Sequence, residues 1–305
     1  MFQRGLIFLC SLAVIGAAVL LAPSADKPDQ AQYKPVAGGP RLPASIKFGQ
    51  VTAVATDSAD RVFVFHRGKN PIVVFDPEGK FLRSFGDNLV KNAHGLRIDA
   101  NDNVWITDLA HHQVMKLDSN GKVLLTLGKK GEPGETRDQF NKPTDVAFAP
   151  GGDFYVSDGY GNSRVVKFSK DGKYQMEWGK KGKGQGEFHL PHAICVDAKG
   201  RVFVGDRENN RIQVFDGEGK FLFQWQDPGA PFGLFLTKEG RMLLADGRAH
   251  LSKVLDPKGK TLVRWGNKGP AAGQFDLPHA ICMDSKGAVY VTEITGQRVQ
   301  KFVGP

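Results

Sequence analysis

The stretch PHAICVDAKGRVFVGD, residues 191–206, contains two short apolar runs separated by a turn, and it ends in an acid. Five more segments follow the same plan, at residues 51–66, 93–108, 143–158, 231–246 and 278–293. The acid position is a histidine, His66, in the first copy only. Internal repeats of roughly 40–50 residues are typical of propellers and solenoids.

Each copy continues with a third apolar run and, in all but the last copy, a fourth, for example RVVKF at 164–168 and KYQMEW at 173–178. Short β-branched and aromatic runs between Gly, Asp and Lys turns indicate strands, and the repeats show no sustained helical period. Four strands in each of six copies predict an all-β, six-bladed propeller. The last copy stops after its third strand, so we expect a strand near Pro43–Phe48 to complete it and close the ring.

The residues before the repeats differ in character. Residues 1–25 read as a secretory signal, because Arg4 precedes an apolar run at 6–22. An uncleaved membrane anchor through residues 6–22 is the alternative, since about 17–25 residues can span a bilayer. Residues 26–44 are predicted to form a flexible arm, and 45–305 the propeller. We therefore expect an exported monomer, periplasmic or extracellular, with a membrane tether if the apolar run is retained.

The charge and the cysteine content bear on which ligands the surface could bind and on whether disulfides form. The formal net charge is +9, and much of it comes from lysines in loops such as 128–131 and 179–184. In an exported protein this indicates a solvated basic rim rather than a nucleic-acid site, with attraction to anionic ligands as the weaker alternative. Cys195 and Cys282 occupy equivalent positions in non-adjacent blades. We therefore expect them to be buried and unpaired.

Three histidines, His94, His192 and His279, occupy one repeat position in alternate copies, five residues before the first turn. The other copies carry Thr52, Thr144 and Phe232 there, so the fold does not require histidine at this place. First strands of propeller blades line the central channel. The three imidazoles are therefore predicted to converge on the axis, in the three-histidine pattern of catalytic zinc with an open fourth position. The alternative is that each histidine only caps a turn or forms hydrogen bonds in the channel.

Further polar residues are predicted near the same end of the channel. Arg67 and Arg207 follow the acid position in blades one and four, which face each other, and could grip a carboxylate. Tyr160, between two glycines, could direct its phenol inward. His66 could support the centre from behind, whereas four histidines are expected in loops or at the surface: His111, His112, His189 and His250.

Five motifs extend this pattern: FHRG (65–68), HGLRID (94–99), YVSDGYGNSR (155–164), DRENNRIQ (206–213) and LPH (277–279). With them, residues 51–302 resemble the peptidyl-α-hydroxyglycine α-amidating lyases, a family of NHL-repeat propellers. The resemblance implies a carbon–nitrogen lyase that converts a C-terminal α-hydroxyglycine to an amide and glyoxylate.

The same resemblance implies roles for the site residues. Zinc would be held by His94, His192 and His279, Arg67 would hold the substrate carboxylate with Arg207 as a second site arginine, and Tyr160 would act as general base. Two departures stand out. A structural calcium would use the carbonyls of Val54 and Leu96 and a carboxylate at position 280, where this chain has Ala280, and a methionine is replaced by Leu277.

Two other functions are compatible with this sequence. An exported propeller without enzymatic activity could bind a protein or glycan through its loops, in which case the histidines would be dispensable for binding. A different lyase or hydrolase could use the same centre on a small hydroxy acid. For the lyase, the expected substrate is small and anionic or is the terminus of a peptide.

Overall fold

The computed structural model describes residues 1–2, 33–37 and 39–304. Its 24 strands form six four-stranded antiparallel sheets arranged as the blades of a propeller, which confirms the predicted fold class. The innermost strand of each blade contacts that of the next, and the first contacts the last, so the ring is closed. The helical content of the described residues is one 3₁₀ turn at Arg207–Asn209.

Within each blade the strands follow one another from the channel outwards. Blade one contains β2 (Gln50–Thr56), β3 (Val62–Arg67), β4 (Ile72–Phe75) and β5 (Phe81–Phe85); blade two contains β6 (Ala93–Ile98), β7 (Val104–Asp108), β8 (Gln113–Leu117) and β9 (Val123–Leu127); blade three contains β10 (Pro143–Phe148), β11 (Phe154–Asp158), β12 (Arg164–Phe168) and β13 (Tyr174–Trp178). Blade four contains β14 (Pro191–Val196), β15 (Val202–Asp206), β16 (Arg211–Phe215) and β17 (Phe221–Gln226); blade five contains β18 (Pro231–Leu236), β19 (Met242–Asp246), β20 (Leu251–Leu255) and β21 (Thr261–Trp265); blade six contains β22 (Pro278–Met283), β23 (Val289–Glu293), β24 (Arg298–Val303) and β1 (Lys34–Pro35).

An N-terminal strand completes the last blade, but it is not the predicted one. β1 pairs with β24, so the closing strand lies within the segment expected to be an arm, and the prediction of Pro43–Phe48 was wrong. Apolar side chains of both N-terminal segments pack against the propeller instead. Ile46 and Phe48 pack against the core between blades six and one, while Tyr33 stacks on Trp265 at 4.2 Å between ring centroids.

The hydrophobic core is divided into six clusters, one between each pair of neighbouring blades. Strands one to three of most blades are buried on both faces, because each sheet packs against a sheet on either side. Cys195 and Cys282 are buried and unpaired in two of these clusters, as predicted. The ring therefore depends on packing between blades and on strand pairing rather than on disulfides.

The innermost strands share one irregularity that places side chains on the axis. Each of the six has a register shift against its neighbour at the same repeat position, for example between Ala93 and Leu96 and between Pro191 and Ala193. The first residue within this bulge is Thr52, His94, Thr144, His192, Phe232 or His279. A bulge re-aims a side chain relative to the regular pleat. The three histidines are thereby presented to the centre of the ring.

The predicted signal or anchor at residues 1–25 lies almost entirely outside the described residues. In the part of the chain that the structure describes, no helix is long and apolar enough to cross a bilayer.

Candidate metal centre

The three predicted histidines meet in the channel. Their ligand nitrogens all lie within 4.8 Å of one another, and the Nε2 atoms of His94 and His192 are 3.1 Å apart. All three side chains are buried. Among the described residues, this is the one cluster of three or more His, Cys, Asp or Glu side chains close enough to share a metal ion.

Backbone carbonyls of the intervening blades orient these imidazoles. His94 Nδ1 donates to Thr144 O at 2.7 Å, His192 Nδ1 to Phe232 O at 2.7 Å, and His279 Nδ1 to Thr52 O at 2.6 Å. Each acceptor occupies the histidine position of the next blade. A carbonyl oxygen cannot donate, so Nδ1 carries the proton and the lone pair of each neutral ring is on Nε2.

Glycines permit this close packing. A Cβ at Gly95, directly after His94, would lie 2.5 Å from the same Thr144 carbonyl oxygen that accepts the His94 bond. Only a residue without a side chain lets the two inner strands approach this closely.

This donor set fits a divalent metal. Two Nε2 lone pairs at 3.1 Å repel each other unless a cation lies between them, and three imidazoles fixed through their second nitrogens are a common zinc arrangement. Water or substrate would take the coordination positions that the three histidines leave free. Zinc itself stays a prediction.

The protonation of the imidazoles agrees with a ligand role. Burial lowers the pKa of His94 and His192 well below the usual value, and it lowers that of His279 to about 3. Repulsion within the cluster and by the charges of Arg67 and Arg207 adds to the effect on His94. Neutral imidazole is the form that binds metal, so at neutral pH no proton has to be displaced from Nε2.

Tyr160 and Arg207 adjoin the histidines. The Tyr160 hydroxyl lies 3.1 Å from His192 Nε2, and the Arg207 guanidinium donates to it at 3.2 Å. Arg207 also lies over the Phe232 ring, 4.6 Å from its centroid, and its Nε is paired with Glu208 at 2.9 Å. The structure thus brings together the tyrosine and one of the two arginines predicted for the site.

The loop that carries Tyr160 is tightly held. A Cβ at Gly159 would lie 2.0 Å from Pro191 O, so glycine is required for the chain to pass beside the histidine strand of blade four. The Tyr160 and Gly161 amides donate to the carbonyls of Lys142 and Asn141. These contacts direct the phenol toward the axis while leaving the side chain 37% exposed at the channel mouth.

Arg67 faces the same space from the opposite blade. Its Nε donates to Ala93 O at 3.0 Å, and one terminal nitrogen donates to Gln50 Oε1 at 2.7 Å. Burial lowers the pKa of Arg67, and the nearby Tyr160 acts in the other direction. Arg67 and Arg207 both lower the pKa of His279, which places two positive charges within electrostatic range of the histidine cluster.

The chain matches proteins that share this repeat. An NHL repeat model matches residues 140–168 and 188–215. Peptidyl-glycine alpha-amidating monooxygenase A of Xenopus laevis is 35% identical over 301 residues, covering 85% of this chain and 32% of that protein. NHL repeat-containing protein 3 of Homo sapiens is 33% identical over 295 residues, covering 89% of this chain and 84% of that protein.

A third relative carries the lyase name. Peptidyl-alpha-hydroxyglycine alpha-amidating lyase 1 of Drosophila melanogaster is 35% identical over 221 residues, covering 60% of this chain and 41% of that protein. The chain belongs to the NHL-repeat family that includes the α-amidating lyases. It spans about a third of the frog monooxygenase and less than half of the fly lyase. The relative named as a lyase supports an enzyme of the lyase class.

Solved structures support the fold of this NHL-repeat propeller. A streptogramin B lyase superimposes with a TM-score of 0.63 at 16% identity, covering 86% of this chain and 95% of that one. At this identity the likeness shows the shared propeller architecture alone.

Several site residues of the NHL-repeat propeller were missed in the sequence. Gln50 and Glu208 hold the two arginines, and the Phe232 side chain contacts Arg207. One signal was available for Phe232, since it fills the histidine position of blade five. Gln50 and Glu208 gave none, because the partner of Gln50 lies on another strand and the contact of Glu208 with Arg207 depends on the 3₁₀ turn that contains both residues.

His66 has a structural role rather than a supporting one at the centre. Its Nδ1 accepts the Gly49 amide at 3.1 Å, and its Nε2 lies 3.1 Å from Asn70 O. In other blades the acid at this position accepts an amide 17 residues earlier, as Asp158 does from Asn141. His66 therefore takes the place of an aspartate that fixes the preceding loop.

The remaining histidines lie in loops, as expected, although His112 is buried. His112 Nδ1 accepts the Lys142 amide at 3.1 Å, and His250 Nδ1 accepts the Leu277 amide at 3.2 Å. Both bonds anchor residues two positions before an axial side chain. His111 pairs with Asp108, and His189 is exposed.

Proposed function

We propose that this protein is a zinc-dependent lyase that cleaves a C-terminal α-hydroxyglycine to an amide and glyoxylate. One observation carries the proposal: the Tyr160 hydroxyl lies between His192 Nε2, at 3.1 Å, and the Arg207 guanidinium, at 3.2 Å. A proton acceptor is thereby held between the metal ligands and a fixed positive charge. The relatives named as amidating lyases support the same reaction class.

The reaction needs a proton removed and a bond broken, with no oxidant or reductant. The substrate hydroxyl loses its proton, its oxygen forms the carbonyl of glyoxylate, and the carbon–nitrogen bond breaks. The departing nitrogen takes up a proton and becomes the amide. Zinc held by His94, His192 and His279 would act as a Lewis acid at the substrate oxygen.

The protein side chains supply the remaining steps. Tyr160 takes the hydroxyl proton, and it can return it to the departing nitrogen. A phenol is a weak base at neutral pH, so neighbouring positive charge is needed to stabilise the phenolate, and Arg207 provides it by direct hydrogen bonding. General base catalysis of this kind contributes about 10²–10⁴-fold to the rate.

The two arginines account for an anionic substrate. Arg67 is anchored by Ala93 O and Gln50, and Arg207 by Glu208, so both guanidiniums are held in place with donor groups to spare. Arginine binds a carboxylate through two parallel hydrogen bonds. Arg67, which has no acidic partner among the described residues, is the one assigned to the substrate carboxylate.

The test is glyoxylate release from α-hydroxyhippurate by purified protein with a measured zinc content. We expect activity with one zinc per chain, and Tyr160→Phe should reduce kcat about 10²–10⁴-fold while keeping the zinc. Tyr174→Phe, a tyrosine of the outer strand β13, is the matched control and should keep full activity. Absence of glyoxylate from fully zinc-loaded protein would refute the lyase, and loss of zinc in Tyr160→Phe would refute the role given to the phenol.

A further inference from the structure

A second charged group lies in the channel beneath the histidines. Arg97 follows His94 by three residues on β6, and its side chain crosses the axis. Its Nε donates to Asp145 Oδ1 at 2.9 Å, and one terminal nitrogen donates to Asp145 Oδ2 at 2.5 Å. The same terminal nitrogen donates to Leu234 O at 3.0 Å and lies 3.4 Å from Ile194 O. One side chain of blade two therefore contacts blades three, four and five.

The Asp145 carboxylate forms further hydrogen bonds with the backbone of the innermost strands. Its Oδ1 accepts the amide of Val146 at 2.9 Å, and its Oδ2 accepts the amide of Ile194 at 3.2 Å. Burial disfavours a charged arginine, Asp145 acts in the opposite direction through its charge and its hydrogen bonds, and the pKa of Arg97 is raised overall. All the side-chain hydrogen bonds described for Arg97 and Asp145 lead to innermost strands.

These strands are the ones that position two of the histidines. Asp145 follows Thr144, whose carbonyl accepts the His94 imidazole, and Ile194 lies two residues after His192 on β14. Movement of Asp145 would shift the acceptor that orients His94. Movement of β14 would shift His192 relative to the axis. The ion pair thus acts on two of the three proposed ligands through the backbone.

The calcium implied by the family resemblance does not fit this part of the channel. Ala280 offers no side-chain ligand where a carboxylate would be needed. The carbonyls of Ile194 and Leu234 occupy the repeat position of Val54 and Leu96, two residues after the axial side chain, and they are bonded to the Arg97 guanidinium. At this level of the channel the positive charge therefore comes from the Arg97 guanidinium and not from a bound ion.

We propose that the Arg97 guanidinium is the structural cation of the channel, replacing a bound calcium, and that with Asp145 it positions His94 and His192 for metal binding. The positioning part rests on the proposed zinc centre. Arg97 contacts no reacting atom in this scheme. It acts as a brace between blades two and five, and it makes the propeller independent of calcium.

The first test uses the unaltered protein. After equilibration with millimolar CaCl₂ and gel filtration, we expect no stoichiometric calcium by elemental analysis. The thermal midpoint of the zinc-loaded protein should be the same with CaCl₂ and with a calcium-selective chelator. One bound calcium per chain together with a calcium-dependent rise in midpoint would overturn the proposal.

The second test removes the guanidinium. Arg97→Met leaves Asp145 buried without its partner, so we expect a lower thermal midpoint and zinc affinity weakened about 10–100-fold in chelator competition. The visible spectrum of the Co²⁺-substituted protein should change, which a purely remote loss of stability would not cause. Lys129→Met is the control, because Lys129 forms an exposed ion pair with Asp138 and its removal should leave both quantities unchanged.

The outcomes separate this proposal from the proposed function. Failure of the unaltered protein to bind zinc refutes the metal centre. Zinc binding by the unaltered protein, with equal zinc affinity and midpoint in Arg97→Met, overturns the role of Arg97 alone. If Arg97→Met does not fold, Arg97→Lys keeps the charge but loses the forked contacts, and unchanged zinc affinity and midpoint in that variant overturn the role equally.

Discussion

Acidification should destabilise the propeller through its buried imidazoles when zinc is removed with a chelator. Burial lowers the pKa of His279 to about 3, against an ordinary value of 6.5, and the charges of Arg67 and Arg207 act in the same direction. Below pH 6.5 the unfolded chain binds a proton at His279 that the folded chain does not. Stability is therefore lost as pH falls from 6.5 toward 3 and levels off below that.

The magnitude follows from the proton bound by the unfolded state. At pH 5 an unfolded histidine of ordinary pKa is almost fully protonated, which corresponds to about 2 kcal/mol of stability lost through His279. His94 and His192 are shifted in the same direction and add to the loss. The total is a large fraction of the roughly 5–15 kcal/mol that stabilises a typical folded domain.

The assay is urea denaturation with chelator at pH 7.5 and pH 5, comparing the unaltered protein with His279→Gln. The unaltered protein should lose about 2 kcal/mol more than the variant between the two pH values. His189→Gln, which changes an exposed loop histidine, should behave like the unaltered protein. The same pH dependence in His279→Gln and the unaltered protein would show that folding does not lower the pKa of His279, and it would refute the prediction.

Two further predictions concern residues outside the ligand set. Glu208→Gln should lower kcat for α-hydroxyhippurate about three- to tenfold with little change in KM, because Glu208 holds Arg207, which stabilises the Tyr160 phenolate, whereas Arg67 holds the substrate carboxylate. Steady-state kinetics with Glu218→Gln as control would check this, and an unchanged kcat would contradict it. His66→Ala should cost about 2 kcal/mol of unfolding free energy because the partly buried Gly49 amide loses its acceptor, whereas His66→Asp should cost less. Equal losses of the two variants in urea denaturation would argue against the aspartate-like role.

The repeat register predicted the residues that share the channel axis. Equivalent positions in a closed ring lie at the same height, so the alternation of His94, His192 and His279 was enough to place them together. The apolar runs likewise predicted the blades, because each strand has to be buried on the faces that neighbouring sheets cover. The prediction of two buried, unpaired cysteines depended on the same argument and was confirmed.

Contacts between blades could not be predicted in this way. The register does not say which backbone carbonyl an imidazole will meet, since that depends on the turn of the strand at the bulge. Arg97 was visible in the HGLRID motif, but nothing in its spacing indicated that it would cross the axis to Asp145. The closing strand was misplaced because an edge strand bonds through its backbone, so Lys34–Pro35 carries no apolar signal that would distinguish it.

The carbonyl supports of the histidines bear on how such a protein can diverge. Thr52, Thr144 and Phe232 hold the imidazoles through peptide oxygens, which every amino acid possesses. Substitution at these three positions can therefore reshape the wall of the pocket without removing what aligns the histidines. Within a lineage, substitutions that alter substrate choice can therefore accumulate while the arrangement of the three histidines is kept. Descendants can inherit an unchanged ring of imidazoles and still act on different molecules.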